Sequence, residues 1–235
     1  MNLGKKSRNF ANIFTFISKK QDTMDRKVAV LFDLDGVLID SEGLYTEFWA
    51  KIGREFNVPS PTFAADIKGT TLKSILNYFP GDELKATILQ RIHDFEDTME
   101  YRLFAGVAEF LTSLKRAGIP TAIVTSSDEV KMSCLYAQLP VVREMVDVVI
   151  DASMVTRSKP DPQGYLLAAE KLGIPAEDCY VFEDSIQGLE AGRRAGATVI
   201  GLATTNSVEQ VEPLCDYLLP SFVGFTVEQL LAIKR

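Results

Sequence analysis

Four carboxylates fall at two places in this chain: Asp33 and Asp35, separated by Leu34 and followed by Gly36, and the adjacent pair Glu183 and Asp184. Between them in sequence lie the hydroxyl run Thr125-Ser126-Ser127 and Lys159, which precedes Pro160. Brought together, the acids cannot all stay ionised cheaply, because like charges a few ångströms apart repel and burial adds a desolvation cost. A divalent cation resolves the conflict. Oxygen ligands without histidine suit a hard ion, and one that leaves coordination positions for a phosphate oxygen is most simply Mg²⁺. Lys159 balances a carboxylate and an anionic group together, and Thr125 offers that group a hydroxyl donor.

Whether these residues meet depends on the elements that carry them. Val28 to Phe32 is a continuous apolar, β-branched run that ends in Asp33, the pattern of a strand buried on both faces. Pro120 to Thr125, Val146 to Ile150, Cys179 to Phe182 and Thr198 to Leu202 read the same way. Helical patterns at Val107 to Ala117, Glu129 to Gln138, Pro162 to Leu172 and Ile186 to Ala195 separate them. Gly118, Gly173 and Gly196 stand just beyond three of those helices, where a left-handed cap is needed. Strands alternating with helices predict an α/β fold, a doubly wound parallel sheet covered on both faces. Each polar cluster then lies at the carboxyl end of a strand, the edge at which open parallel sheets bind ligands.

The alternation stops between Asp40 and Phe104. That stretch is helical in pattern, broken near Val58-Pro59-Ser60-Pro61 and at Pro80-Gly81, and predicts an inserted α-helical cap over residues 41–103. The core is expected to comprise 25–40 and 104–235. Residues 1–24 read as a dispensable extension with a charge of +4 in a chain of net charge −7, so the remainder carries −11. Phe10, Ile13, Phe14, Phe16 and Ile17 give the extension an amphipathic pattern without the long apolar stretch of a secretory signal.

Scarcity excludes much chemistry. His93 is the only histidine in 235 residues, so a Ser-His-Asp triad or a multi-histidine zinc site lacks its parts. Cys134, Cys179 and Cys215 form no close ligand pair and suit a reducing compartment, here the cytoplasm. No apolar run reaches a membrane span, and an acidic body is a poor nucleic-acid binder. A calcium loop starting at Asp33 would place Val37, Leu38 and Leu44 at positions that require an oxygen ligand, glycine and glutamate. Gly188, Gly192 and Gly196 line one helix and its end, and are read as packing positions. Phe48 and Trp49 are read as cap core.

The ordered motifs DLDGVL at 33–38, IVTSS at 123–127, SKPDP at 158–162 and FEDS at 182–185 resemble the haloacid dehalogenase superfamily. With a helical cap after the first strand, the chain is most similar to its β-phosphoglucomutase-like and sugar-phosphate phosphatase branch. The resemblance implies that Asp33 is a nucleophile forming an aspartyl-phosphate, and that Asp35 acts as general acid and then base. It implies Thr125, Ser126 and Lys159 as phosphate ligands. Asp33, Asp35 through its backbone carbonyl, and Asp184 would hold Mg²⁺, with Glu183 beside them or acting through water. Tyr45 and Lys68 are the cap residues offered for substrate contact, Lys68 either reaching substrate or standing solvated.

A carboxylate attacking phosphorus divides hydrolysis into two easier displacements. Asp35 also separates the chain from true dehalogenases, whose halide leaving group needs no acid. The expected function is a Mg²⁺-dependent phosphatase of small phosphorylated metabolites, sugar or polyol phosphates, acting as a monomer. The alternatives are a phosphomutase and a non-catalytic binding module. Against the mutase, Tyr45 stands where β-phosphoglucomutase has histidine. Thr70, Thr71 and Leu72 follow Lys68-Gly69 where it has an arginine, and Asp128 and Glu129 replace its Lys and Asn, so a second phosphate would meet repulsion. His93 lies outside every motif and is expected on the cap surface.

Overall fold

The computed structural model describes residues 27–233. The amphipathic extension of residues 1–24 therefore lies outside the described residues. Six parallel strands form one sheet in the order β3-β2-β1-β4-β5-β6: β1 (Ala29–Phe32), β2 (Thr121–Val124), β3 (Val148–Ile150), β4 (Cys179–Glu183), β5 (Thr198–Gly201) and β6 (Tyr217–Leu218). The five strands expected from apolar runs form within two residues of their expected ends. The sixth pairs with β5 through only two residues, Tyr217 and Leu218, too few to leave a pattern in the sequence.

Helices cover both faces: α5 (Val107–Arg116), α6 (Glu129–Gln138), α8 (Gln163–Leu172) and α9 (Ile186–Ala195) follow the expected spans, while the short α7 (Pro140–Glu144), α10 (Val208–Val211) and α11 (Val227–Ala232) are additions. Side chains of β1 divide as the strand period requires. Val30 and Phe32 pack with Phe110, Leu111 and Phe182, whereas Ala29 and Leu31 pack with Tyr165, Ala168 and Ala191. Both faces of the central strand are thus buried, which is why its sequence is uninterruptedly apolar. Gly118, Gly173 and Gly196 adopt φ of 67°, 68° and 81° at the helix ends where left-handed caps were expected.

Between β1 and α5 the chain forms α1 (Glu42–Glu55), α2 (Phe63–Asp66), α3 (Leu72–Leu76) and α4 (Asp82–Thr98). These enclose their own apolar cluster, including Trp49, Ile52, Phe63, Phe79, Ile88 and Ile92, with Phe48 half-buried beside it. The chain leaves and returns at adjacent points, since Ile39 bridges Leu103 and Asp40 N–H donates to Arg102 O. Among the described residues no helix is long and apolar enough to cross a membrane.

Close packing of α9 on the sheet depends on Gly188 and Gly192. A Cβ on Gly192 would stand 3.0 Å from Val181 and Val199, and one on Gly188 would overlap the Glu183 carboxylate. Glu183 is fully buried and held by several donors, so it has little freedom to move aside. Gly188→Ala is therefore expected to destabilise the protein by about 2–3 kcal/mol, measured as a lower urea midpoint at unchanged m-value. An unshifted midpoint would show that α9 can lift from the sheet.

Candidate active site

The strand order reverses direction of travel at β1, with β2 on one side and β4 on the other, and the carboxyl ends of these strands open into one cleft. Asp33 and Asp35 leave β1, Thr125 to Ser127 leave β2, Glu183 and Asp184 end β4, and Lys159 enters from the loop after β3. The cleft holds about 770 Å³ of empty space including its mouth, the scale of a small-molecule site rather than a polymer groove. Its opposite wall comes from α1, α4 and the α2–α3 segment.

Glu183 organises the floor. Its Oε1 accepts from Lys159 Nζ at 2.6 Å and from Tyr165 OH at 2.7 Å, and its Oε2 accepts from the Asp184 and Ser185 backbone N–H groups at 3.0 and 3.1 Å and from Ser185 Oγ at 3.1 Å. Lys159 also ion-pairs with Asp33 and donates to Val124 O at 3.1 Å. Burial works to lower the Lys159 pKa, yet Asp33 and Glu183 raise it well above the usual lysine value, so the ammonium stays charged. Burial pushes Asp33 above the usual carboxylate range against the pull of Lys159, with Glu183 and Asp35 adding repulsion. Asp184 is raised likewise, by burial and then by Glu183 and Asp33.

Asp33, Glu183 and Asp184 each place a carboxylate oxygen within 4.8 Å of the others. Both Glu183 oxygens are already occupied, whereas Asp184 Oδ2 is buried without a hydrogen-bond partner. Gly36, at φ 76°, leaves open the space beside that oxygen, which a Cβ would fill. An orphaned carboxylate oxygen, a neighbouring acid and hard donors throughout fit a divalent cation held chiefly by Asp33 and Asp184. The Asp35 side chain does not join this group. It turns toward the cap, where Ser41 Oγ, Ser127 Oγ at 3.1 Å and Lys131 Nζ surround it.

The hydroxyl run is partly committed to internal contacts. Thr125 Oγ1 donates to Ser127 Oγ at 2.9 Å and accepts the Ser127 N–H at 3.0 Å, while Ser126 Oγ donates across to Gly69 O at 2.8 Å and ties the two walls together. Lys68 lines the cleft, donates to Thr205 O at 3.4 Å and lies 3.8 Å from Glu42 Oε2. Tyr45 OH donates to Glu96 Oε1 at 2.8 Å, and the Tyr45 ring lies 4.3 Å below the Lys131 ammonium.

Three sequence expectations change. His93 is not on the cap surface: it is half-buried, with Nε2 3.2 Å from Asp128 Oδ2, because α4 lays this face against α6. Asp128 caps α6, accepting the Lys131 N–H at 3.1 Å, so its charge is already answered. Glu129 is exposed and outside the lining of the cleft. The cation from this loop is Lys131, buried although it stands in the first turn of α6, where a lysine reads as solvated. Ser41, Glu42 and Glu96 were also missed. Glu96 extends the i, i+4 stripe Ile88-Ile92, all three buried, and a charge continuing an apolar stripe is the signal that marks it.

Burial pushes Glu96 up to about 7, with Lys131 opposing the shift. Between the ordinary value near 4.5 and 7, the folded protein binds more protons at this site than the unfolded chain, so stability falls as pH rises through that window. Glu96→Gln removes the effect. The variant is expected to gain on the order of 2–3 kcal/mol relative to the parent between pH 5 and pH 8, read from urea unfolding at both pH values. A constant difference would show that Glu96 is not perturbed.

A family profile described as haloacid dehalogenase-like hydrolase matches residues 28–196. Validoxylamine A 7'-phosphate phosphatase of Streptomyces hygroscopicus subsp. limoneus is 32% identical over 201 residues, covering 78% of this chain and 88% of that protein. Hexitol phosphatase A of Escherichia coli (strain K12) is 32% identical over 204 residues, covering 84% and 92%. Among solved structures, CbbY from Rhodobacter sphaeroides in complex with xylulose-(1,5)bisphosphate superposes with a TM-score of 0.70 at 26% identity, covering 87% of this chain and 99% of that one.

Proposed function

Because the chain belongs to the haloacid dehalogenase-like hydrolase family, we propose that it is a Mg²⁺-dependent phosphatase of sugar or polyol monophosphates working through an aspartyl-phosphate on Asp33. The observation that carries this reading is the division of labour between the two aspartates of one turn. Asp33 faces Lys159 and Asp184, whereas Asp35 is held apart on the cap side by Ser41, Ser127 and Lys131. The relatives named as phosphatases of validoxylamine A 7'-phosphate and of hexitol phosphate support the substrate class.

In the first displacement the Asp33 carboxylate attacks phosphorus, the bond from phosphorus to the leaving oxygen breaks, and Asp35 gives that oxygen its proton. In the second, Asp35 takes a proton from water as the water oxygen attacks the phosphorus held on Asp33, releasing phosphate and restoring both acids. Lys159 answers charge on the transferring group from below. Thr125 supplies a hydroxyl and Ser126 shapes the phosphate pocket beside it. Asp33, Asp184 and the Asp35 backbone carbonyl would hold Mg²⁺, with Glu183 fixing the pair from behind. When bound, the ion supplies positive charge that lets the carboxylates stay ionised and offsets charge on the phosphoryl oxygens.

The reading places the core at 25–40 and 104–235 and the cap at 41–103, in a monomer acting in a reducing compartment. Phosphate release from phenyl phosphate, sorbitol 6-phosphate and β-glucose 1-phosphate, each with Mg²⁺ and with EDTA, tests it. Mg²⁺-dependent release from at least phenyl phosphate and one sugar or polyol ester is expected. No release from any ester would overturn the phosphatase reading. Conversion of β-glucose 1-phosphate mainly to glucose 6-phosphate would assign a mutase instead.

A further inference from the structure

Two buried carboxylate oxygens of the cleft have no hydrogen-bond partner among the described residues, Asp184 Oδ2 on the floor and Glu96 Oε2 on the cap wall. The first belongs to the cation site. The second belongs to a residue that lines the cleft from the cap side, 4% exposed, with its other oxygen fixed by Tyr45. A buried acceptor left unpaired costs free energy that a bound donor recovers.

The cations of the cleft are each already answered by an acid: Lys131 by Asp35, Lys68 by Glu42, and Lys159 by Asp33 and Glu183. His93 faces Asp128. Among the described residues no cation lining the cleft stands without an acidic neighbour to receive a second anionic group, and Glu96 offers an acceptor instead. His93, Glu96 and Asp128 also lie within 4.8 Å of one another, but the His93 and Asp128 contacts are mutual and the Lys131 N–H takes the other Asp128 oxygen, so the demand falls on Glu96 alone.

We infer that the cap wall is a subsite for the uncharged, hydroxyl-bearing end of the leaving group, with Glu96 Oε2 accepting a hydrogen bond from a substrate hydroxyl. The inference rests on the phosphatase reading and sharpens its substrate class. Polyhydroxylated alcohols esterified once are accepted, and esters carrying a second phosphate are disfavoured. Here the chain departs from what the bisphosphate complex of CbbY would suggest.

The test compares kcat/KM of the full chain with Mg²⁺ for sorbitol 6-phosphate, fructose 1,6-bisphosphate and phenyl phosphate, in the parent and in Glu96→Gln. The parent is expected to prefer sorbitol 6-phosphate over the bisphosphate. In Glu96→Gln the ratio of sorbitol 6-phosphate to phenyl phosphate is expected to fall by about 10-fold or more, chiefly through KM, as loss of the acceptor dictates. A parent that prefers the bisphosphate overturns the inference without any variant. So does a variant in which both monoesters change by the same factor, while phenyl phosphate hydrolysis keeps the phosphatase reading intact. Failure of all three esters in the parent overturns that reading and the inference with it.

Discussion

Replacing Asp33 with Asn is expected to lower phosphate release by at least about 10⁴-fold while leaving the fold unchanged, because the substitution removes the attacking oxygen and little else. Asn has the same shape, and Lys159 keeps Glu183 Oε1 at 2.6 Å and Val124 O at 3.1 Å. In the metal-free protein the change also relieves crowding among Asp33, Glu183 and Asp184, so the urea midpoint is expected to hold or rise. Steady-state phosphate release with saturating Mg²⁺, together with circular dichroism, checks both parts. Residual turnover within 10-fold of the parent would mean that water attacks phosphorus directly and that Asp33 serves only to bind.

Lys159→Met is expected to have the largest effect on stability. Lys159 is the charge that Asp33 and Glu183 share inside the protein, and methionine of similar length leaves both acids facing each other without it. Breaking a buried pair by removing one partner costs about 3–5 kcal/mol, more than the pair itself contributes, because an uncompensated charge remains. The loss is expected to be largest at alkaline pH and to shrink as pH falls through and below about 8, the value to which burial raises Asp33, since a protonated Asp33 needs no counter-charge. Urea titrations at pH 9.5 and pH 6.5 measure it, and activity is expected to be lost at both. A variant as stable as the parent at pH 9.5 would show that the two acids share a proton without help from Lys159.

How much of this was legible in the sequence depended on what enforced each feature. Val28 to Phe32 announced a buried central strand because both of its faces meet helices, which leaves no position for a polar residue. Asp33, Asp35, Thr125 and Asp184 were legible because each stands at the end of such a run, where the sheet edge gathers them, and Lys159 because SKPDP at 158–162 completes the ordered set of motifs. Tyr217–Leu218 was not, since two residues on an edge carry no period. The cap wall was the least legible part. Lys131 and Glu96 are charged residues on helices, and their burial follows from how α4 and α6 pack against each other, a tertiary fact that leaves a faint trace in local pattern. His93 was misplaced for the same reason.

The central claim is that phosphorus becomes bonded to Asp33 during turnover. Mixing the protein with Mg²⁺ and a ³²P-labelled sugar or polyol monophosphate, quenching with acid within the first turnover, and mapping the label by peptide digestion measures this directly. Label that is acid-stable, confined to the peptide containing Asp33, and absent from the Asp33→Asn protein is the expected result. Phosphate released at the same rate with no protein-bound label at any quench time, and with inversion of configuration at phosphorus, would contradict it.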